Sequence, residues 1–178
     1  DRSPSRGLGD VYKRQIGKGA LTVLTSGARN LAIGYTAGGL ITDGTDNTLI
    51  GYQSGNQGTY GIVGGDYNTG VGAYSMGASA GAAITGSSNT AIGYNAMLEA
   101  QGAVNSNTAV GSNAMRDITT GSENVAVGKD SMLDAEDGTG NTAIGTESLA
   151  NVTSGSENVG VGKQSLYTAA TVGGNTAV

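Results

Sequence analysis

Residues 121–166 read GSENVAVGKDSMLDAEDGTGNTAIGTESLANVTSGSENVGVGKQSL, and this stretch decides the fold. It contains three copies of a phrase that begins with Asn and ends with Ile or Val followed by Gly, with asparagines 17 residues apart. The phrase occurs nine times in the chain, the last copy cut short at Val178. Its asparagines are Asn30, Asn47, Asn68, Asn89, Asn107, Asn124, Asn141, Asn158 and Asn175. The successive steps are 17, 21, 21, 18, 17, 17, 17 and 17 residues. A nearly fixed period of this size is typical of proteins that stack one short unit on the next.

The amino-acid composition also favours a stacked-repeat fold. The 178 residues include 33 Gly, no Phe and no Trp, so there is little bulk for a globular core. The few apolar residues recur in the same place within each repeat, which argues against disorder. From residue 19 onward there are 4 basic and 12 acidic side chains, a net charge of −8, which makes nucleic acid a poor partner. The chain has no apolar run of about 18 residues, so we expect no membrane insertion.

Each repeat predicts one short strand. The anchoring Asn is expected to hydrogen-bond in a turn and to form an amide ladder with its copies, most regularly in the later repeats. These anchors are Asn89, Asn107, Asn124, Asn141 and Asn158. A Gly closes each strand and predicts a bend or a close backbone contact. These glycines include Gly93, Gly111, Gly128, Gly145 and Gly162.

Alternation along the strand predicts two different faces. The third residue after the anchor is always Ile or Val, and we expect this column in the core. The second is Ala or Gly in all copies but one, where it is Leu49, and we expect this flat column to face a neighbouring chain. The variable pair after the Gly is expected at the surface. A second core column is expected from the Met or Leu four residues after that Gly, as in Met132 and Leu149.

These patterns together predict an all-β fold. It is a parallel β-roll, or β-solenoid, of about eight coils with a repeat of 17–21 residues. At about 4.8 Å per coil it would be roughly 40 Å long. One coil offers too little apolar surface to fold alone, and the flat column suggests an oligomer.

The phrase N-T-A-[IV]-G-x-x-[AS]-[LM] with a polar link resembles the repeats of YadA-type trimeric adhesin heads. It resembles still more closely the arrays of bacteriophage tail fibres and similar surface fibres. The resemblance runs from about residue 28 to 178 and implies a left-handed roll, a homotrimer and a role in attachment. It also implies a location on a virion or on the extracellular surface of a bacterial cell. Adhesin-head repeats are typically shorter than 17 residues, so this chain departs from that pattern.

The chain divides into three segments. Residues 1–15, DRSPSRGLGDVYKRQ, are basic and irregular and resemble translated sequencing-adapter sequence, so we expect a non-native or disordered leader. Residues 16–27 are expected to be a lead-in segment. Residues 28–178 are the repeat array, which we expect to be truncated at its C-terminus.

Catalysis is not expected. The absence of His and Cys removes the commonest general base and the commonest thiolate nucleophile. The acidic residues lie in variable links and form no calcium-type stack, so we expect neither a metal nor a cofactor.

Attachment therefore depends on an exposed surface. Six of the eight tyrosines fall between residues 35 and 94, where the two 21-residue repeats also lie, and we interpret them as contacts for a host glycan or protein receptor. They are Tyr35, Tyr52, Tyr60, Tyr67, Tyr74 and Tyr94. Two alternatives stay open: a purely structural spacer, and an ice-binding solenoid. The second is suggested by a threonine column at Thr48, Thr69, Thr90, Thr108, Thr142 and Thr176.

Overall fold

The short strands of the repeats stack into one long sheet in the computed structural model. It describes residues 14–57, 60–78, 81–168, 171 and 173–178, and these contain strands and turns but no helix. None of them therefore forms a helix that could cross a membrane. Ten strands follow one another in chain order, each hydrogen-bonded to the next. They are β1 (Arg14–Ile16), β2 (Leu31–Ile33), β3 (Thr48–Ile50), β6 (Thr69–Val71), β7 (Thr90–Ile92), β8 (Thr108–Val110), β9 (Val125–Val127), β10 (Thr142–Ile144), β11 (Val159–Val161) and β12 (Thr176–Ala177).

Every pairing in this sheet is parallel and in register. In β10, for example, Ala143 lies between Ala126 of β9 and Gly160 of β11. The chain therefore advances by one repeat per turn of the roll. This confirms the predicted all-β parallel solenoid, which here has about nine turns.

Two features extend the predicted outline. Strand β1 pairs with β2, so the described roll begins at Arg14, within the predicted leader, and includes the predicted lead-in segment. Residues 1–13 lie outside the described part. In the first 21-residue repeat, β4 (Asn56–Gln57) and β5 (Tyr60–Gly61) form a small antiparallel pair beside the roll.

The prediction of which strand face lies inside is wrong. The small column is buried: Ala91, Ala109, Ala126 and Ala143 have no exposed surface. The branched column points outward, and Ile92, Val127 and Ile144 are 40%, 37% and 43% exposed. The small residues are therefore satisfied within one chain, and the unsatisfied apolar face is the branched one.

The size of the interior explains this reversal. At Gly160, an added Cβ would lie 2.7 Å from the hydroxyl oxygens of Ser148 and Ser165 and 2.8 Å from Leu149. The Ser and Met/Leu positions after the bend thus fill the space opposite the strand. Where a Met or Leu fills the column after the bend, only Ala or Gly fits at the middle of the strand, and the branched side chains face out. Leu49 is the exception, in the coil where Gly55 stands in that column.

The core consists of two interior columns. The Met/Leu column was predicted, and its buried members are Met76, Met97, Met115, Met132 and Leu149. A second column comes from the links, where one hydrophobe precedes each anchor. Its fully buried members are Ile41, Ile62, Ile84, Val104, Ile118 and Val152.

The amide ladder is confirmed. The Asn141 backbone N–H donates to Asn124 Oδ1 at 2.9 Å, and Asn141 Nδ2 donates to the same oxygen at 3.1 Å. Asn124 Nδ2 in turn donates to the Gly138 carbonyl at 2.7 Å. The anchors from Asn30 to Asn158 are buried, so the ladder satisfies polar groups inside the roll.

The glycines that close the strands permit close stacking. Gly128 has φ +138°, and a Cβ there would meet the backbone of Gly145 in the next coil. Any other residue would be strained and would separate the coils at this bend.

Candidate functional site

Four tyrosines stand in a row where the strands end. Tyr35, Tyr52 and Tyr94 directly follow the bend glycines of their coils, whereas Tyr74 follows one residue later, after Ala73. The parallel stacking places them on one edge of the roll, beside the sheet. We call this set the tyrosine ladder.

The rings of the ladder are in continuous contact. Tyr35 and Tyr52 stack with centroids 5.4 Å apart and planes inclined by 11°. Tyr74 meets Tyr52 edge to face at 5.3 Å and meets Tyr94 edge to face at 6.1 Å. Such offset and edge-to-face arrangements are the favourable ones for aromatic pairs. Tyr35, Tyr52 and Tyr94 still keep 44%, 47% and 55% of their surface exposed.

Backbone hydrogen bonds between coils hold the ladder in place. The Tyr35 carbonyl accepts from the Gln53 N–H, the Tyr52 carbonyl from Tyr74, and the Tyr94 carbonyl from Asn113, each at 2.9 Å. The second residue after each bend adopts a left-handed conformation, and Tyr74 does so with φ 58°. That conformation is costly for a bulky side chain. The roll thus fixes the backbone positions from which the rings project.

Lys18 takes the position of Tyr35 in the preceding coil, and the other residues that share the bends of the ladder are polar but uncharged. Thr36, Gln53 and Asn95 lie beside the rings in the same turns, and Asn95 Nδ2 donates to Asn113 Oδ1 at 3.3 Å. The pKa of the Tyr74 hydroxyl is raised, first by desolvation and then by neighbouring Tyr52. The Tyr74 hydroxyl therefore stays neutral across the physiological range.

Charges reappear only one coil beyond Asn113. There Lys129 Nζ lies 2.6 Å from Asp130 Oδ2, and Asn113 Nδ2 donates to Asp130 Oδ1 at 2.9 Å. Desolvation opposes ionisation of Asp130, but the hydrogen bonds from Lys129 and Asn113 keep its pKa below the usual value. The hydrogen bond and charge of Asp130 raise the pKa of Lys129. This pair balances its own charge.

The other two predicted tyrosines do not join the ladder. Tyr67 is 62% exposed but lies just before the anchor Asn68, in a different column of the coil. Tyr60 belongs to β5, and its side chain lies outside what the structure describes. Four of the six predicted contacts are thus brought together.

A second surface, which sequence reasoning had assigned to the core, is the outward side of the sheet. We call it the outer sheet face. It carries the branched column at Ile33, Ile50, Val71, Ile92, Val110, Val127, Ile144 and Val161. Beside it runs the first strand position, with Leu31, Thr48, Thr69, Thr90, Thr108, Val125, Thr142 and Val159. The result is a long, regular surface without charged side chains from β2 to β11.

Two further sets of charged side chains form ion pairs. Arg29 and Asp46 make a bidentate pair at 2.6 Å on neighbouring coils, close to an open groove of about 370 Å³ that Arg14 and Thr48 also line. Arg116 lies between Asp117 and Asp134, and the pKa of Asp134 is raised, mainly by desolvation and by Asp117. Among the residues that the structure covers, no His, Cys, Asp or Glu group could hold a metal ion.

Comparisons with family models, with curated proteins and with solved structures found no match to this chain. The likeness to adhesin heads and tail fibres therefore rests on the repeat phrase.

Proposed function

We propose that this chain is a structural and adhesive segment of a fibrous protein on a virion or a bacterial cell surface. In this proposal it forms part of a tail fibre or of a trimeric adhesin head or shaft and contributes to attachment. The observation that carries the proposal is the outer sheet face, where strands without charged residues present an Ile/Val column beside a mostly Thr column along the solenoid. The resemblance of the repeats to those of surface fibres supports the same function.

The outer sheet face supports assembly into a homotrimer. Contiguous exposed apolar surfaces are uncommon on monomers and mark interaction sites. A branched side chain gains about 1.5–3 kcal/mol on full burial, so a column of partly exposed Ile and Val favours association. The physical support for the trimer thus comes from the branched column, not from the buried small column. The left-handed course of the coils remains part of the proposal.

Attachment requires a ligand as well as a fibre. The test is binding of the assembled, fluorescently labelled protein to an array that carries glycans and extracellular proteins. Saturable binding to one class of ligand is expected for an attachment segment. Binding to nothing on an array that spans both classes would favour the purely structural spacer.

Ice binding is a second use that the outer sheet face supports. Thr48, Thr69, Thr90 and Thr108 stand in one column next to Ile and Val, at the regular spacing of the strands. The same face cannot serve a trimer interface and ice at once. Thermal hysteresis from a monomeric chain would favour ice binding, and its absence from a trimeric one favours the fibre.

A further inference from the structure

We propose that the tyrosine ladder is a binding site for a neutral polysaccharide chain. Tyr35, Tyr52, Tyr74 and Tyr94 would each contact a sugar unit along the axis of the roll. This inference rests on the proposed attachment function and assigns its ligand class and its contact residues.

The first argument is periodicity. Four rings recur at centroid distances of 5.4, 5.3 and 6.1 Å along one edge of the roll, with Tyr35, Tyr52 and Tyr94 exposed and Tyr74 partly buried between them. These intervals are close to the length of one hexose unit. A repeating row of rings suits a ligand that repeats at the same interval, and a polysaccharide is such a ligand.

The second argument is surface chemistry. A pyranose ring has an apolar side of C–H groups and a rim of hydroxyls, and a tyrosine offers an apolar ring and a hydroxyl tip. The amides of Gln53 and Asn95 lie next to the rings and can donate to or accept from sugar hydroxyls. The ladder therefore presents both kinds of contact that a sugar needs.

The third argument is charge. Lys18 takes the position of Tyr35 in the preceding coil, at the N-terminal end of the ladder, and at the other end Lys129 is paired with Asp130. The bend pairs of the coils between them carry no charged side chain. From residue 19 onward the chain carries a net charge of −8, which repels anionic polymers. The ligand class is therefore neutral hexose polymers, not uronic or sialic acid polymers.

The fourth argument is rigidity. Backbone hydrogen bonds of 2.9–3.2 Å hold the coils together, and the rings already contact one another, so binding orders few new groups. Single sugar contacts are weak, but a trimer would present three ladders and gain by multivalency.

The test is affinity electrophoresis of the assembled protein in gels containing dextran, linear α-mannan or mixed-linkage β-glucan, with polygalacturonate as the anionic probe. Tyrosine fluorescence provides an independent readout, because the chain contains no Trp. The variants are the double change Tyr52→Ala with Tyr94→Ala, the conservative Tyr52→Phe, and Tyr67→Ala as the matched control. Circular dichroism checks that each variant is folded.

We expect at least one neutral polysaccharide to retard the wild-type protein. The double variant should weaken that binding at least about tenfold, the equivalent of roughly 1.4 kcal/mol. The Tyr52→Phe variant should keep most of the polysaccharide binding, because the aromatic ring remains. Tyr67→Ala should leave the binding unchanged.

Three results would overturn the inference: no retardation by any neutral polymer, unchanged binding of the folded double variant, or stronger binding to polygalacturonate. Binding to a protein on the array that survives the tyrosine changes would leave attachment standing and reject the ladder as its site. Failure to bind any array component would count against attachment itself.

Discussion

Asn141 illustrates how a polar residue stabilises the interior of a roll with so small a core. Its side chain donates to Asn124 Oδ1 and, at 2.8 Å, to the Gly155 carbonyl. Its own Oδ1 accepts from both the backbone N–H and Nδ2 of Asn158. Each anchor thus links its own coil to both neighbours, and the ladder acts as a continuous hydrogen-bonded spine.

Replacing one rung tests this role. Asn141→Ala leaves the Asn158 N–H without its acceptor and the Gly155 carbonyl without its donor, both in a buried setting. An unsatisfied buried group costs about 1–3 kcal/mol, so we expect unfolding to become easier by about 2–4 kcal/mol. Urea denaturation followed by circular dichroism measures this. The control Asn151→Ala, at the surface of the same coil, should change stability by less than about 0.5 kcal/mol.

The two strand faces can be distinguished by adjacent substitutions. Ala143→Leu forces a larger side chain into a filled interior, where even a Cβ at the equivalent Gly160 lacks space, and should destabilise the chain by about 1–3 kcal/mol or more. Ile144→Asp places its charge on the outward side of the strand, where water can still solvate it. The loss of stability should therefore be smaller than for Ala143→Leu. Denaturation at a protein concentration that keeps the chain monomeric gives the comparison. A larger loss from Ile144→Asp would mean that the branched column does lie inside.

At the scale of the element, each coil is a three-residue strand held between two turns. The turn after the strand depends on a glycine such as Gly145, with φ +131°, where a Cβ would meet the Gly162 backbone. The turn before the anchor contains Gly140, with φ +70°, where the nearest atom to a Cβ is 3.9 Å away. The first glycine is required by close stacking, whereas the second has room for a side chain.

This difference gives a matched pair of substitutions. Gly145→Ala should destabilise by at least about 1–3 kcal/mol, since it combines backbone strain with contact against the next coil. Gly140→Asn should be nearly neutral, because Asn tolerates this conformation and other repeats place Glu, Ser or Asp there. Thermal melting of both variants measures the difference. Equal melting temperatures would show that coil spacing does not depend on the bend glycine.

Much of the structure of a single coil was predictable from the sequence. The strand, the Asn ladder, the bend and the Met/Leu column follow from recurrence at a fixed step, since stacking places equal positions above one another. Which face lies inside did not follow, because alternation separates two faces without saying which one has room. One signal was present: Leu49 replaces the small residue in a coil where Gly38 and Gly55 stand in the Met/Leu column, and its side chain fills the space they leave.

The candidate site was predictable only in outline. Clustering of tyrosines between residues 35 and 94 indicated a surface, and the shared place of Tyr35, Tyr52 and Tyr94 after the bend could have separated them from Tyr67. Tyr74 was harder, because it lies one residue later and reaches the row only through its left-handed backbone. The contact between the rings depends on side-chain directions that the sequence does not specify.

At the scale of the whole molecule, one structure presents two long surfaces with different chemistry. The outer sheet face is apolar and regular, and it suits a second and third copy of the chain. The tyrosine ladder is aromatic and neutral and occupies only the coils between Tyr35 and Tyr94. In the proposed fibre, this separation of surfaces would keep the same trimer contact along the length while only part of the length binds a ligand.

Sedimentation equilibrium tests the central claim, that the outer sheet face holds three chains together. The wild-type chain, assembled with a cleavable trimerisation tag and then freed of it, should retain three times the 17.5 kDa chain mass at micromolar concentration. The double change Val127→Lys with Ile144→Lys should give folded monomers, because it places charges on the outer sheet face. Thr146→Lys, which adds one charge beside the bend of the Ile144 coil and not on the outer sheet face, should remain trimeric. A folded, heat-stable wild-type monomer after tag removal, or a trimer unaffected by the double change, would contradict the account.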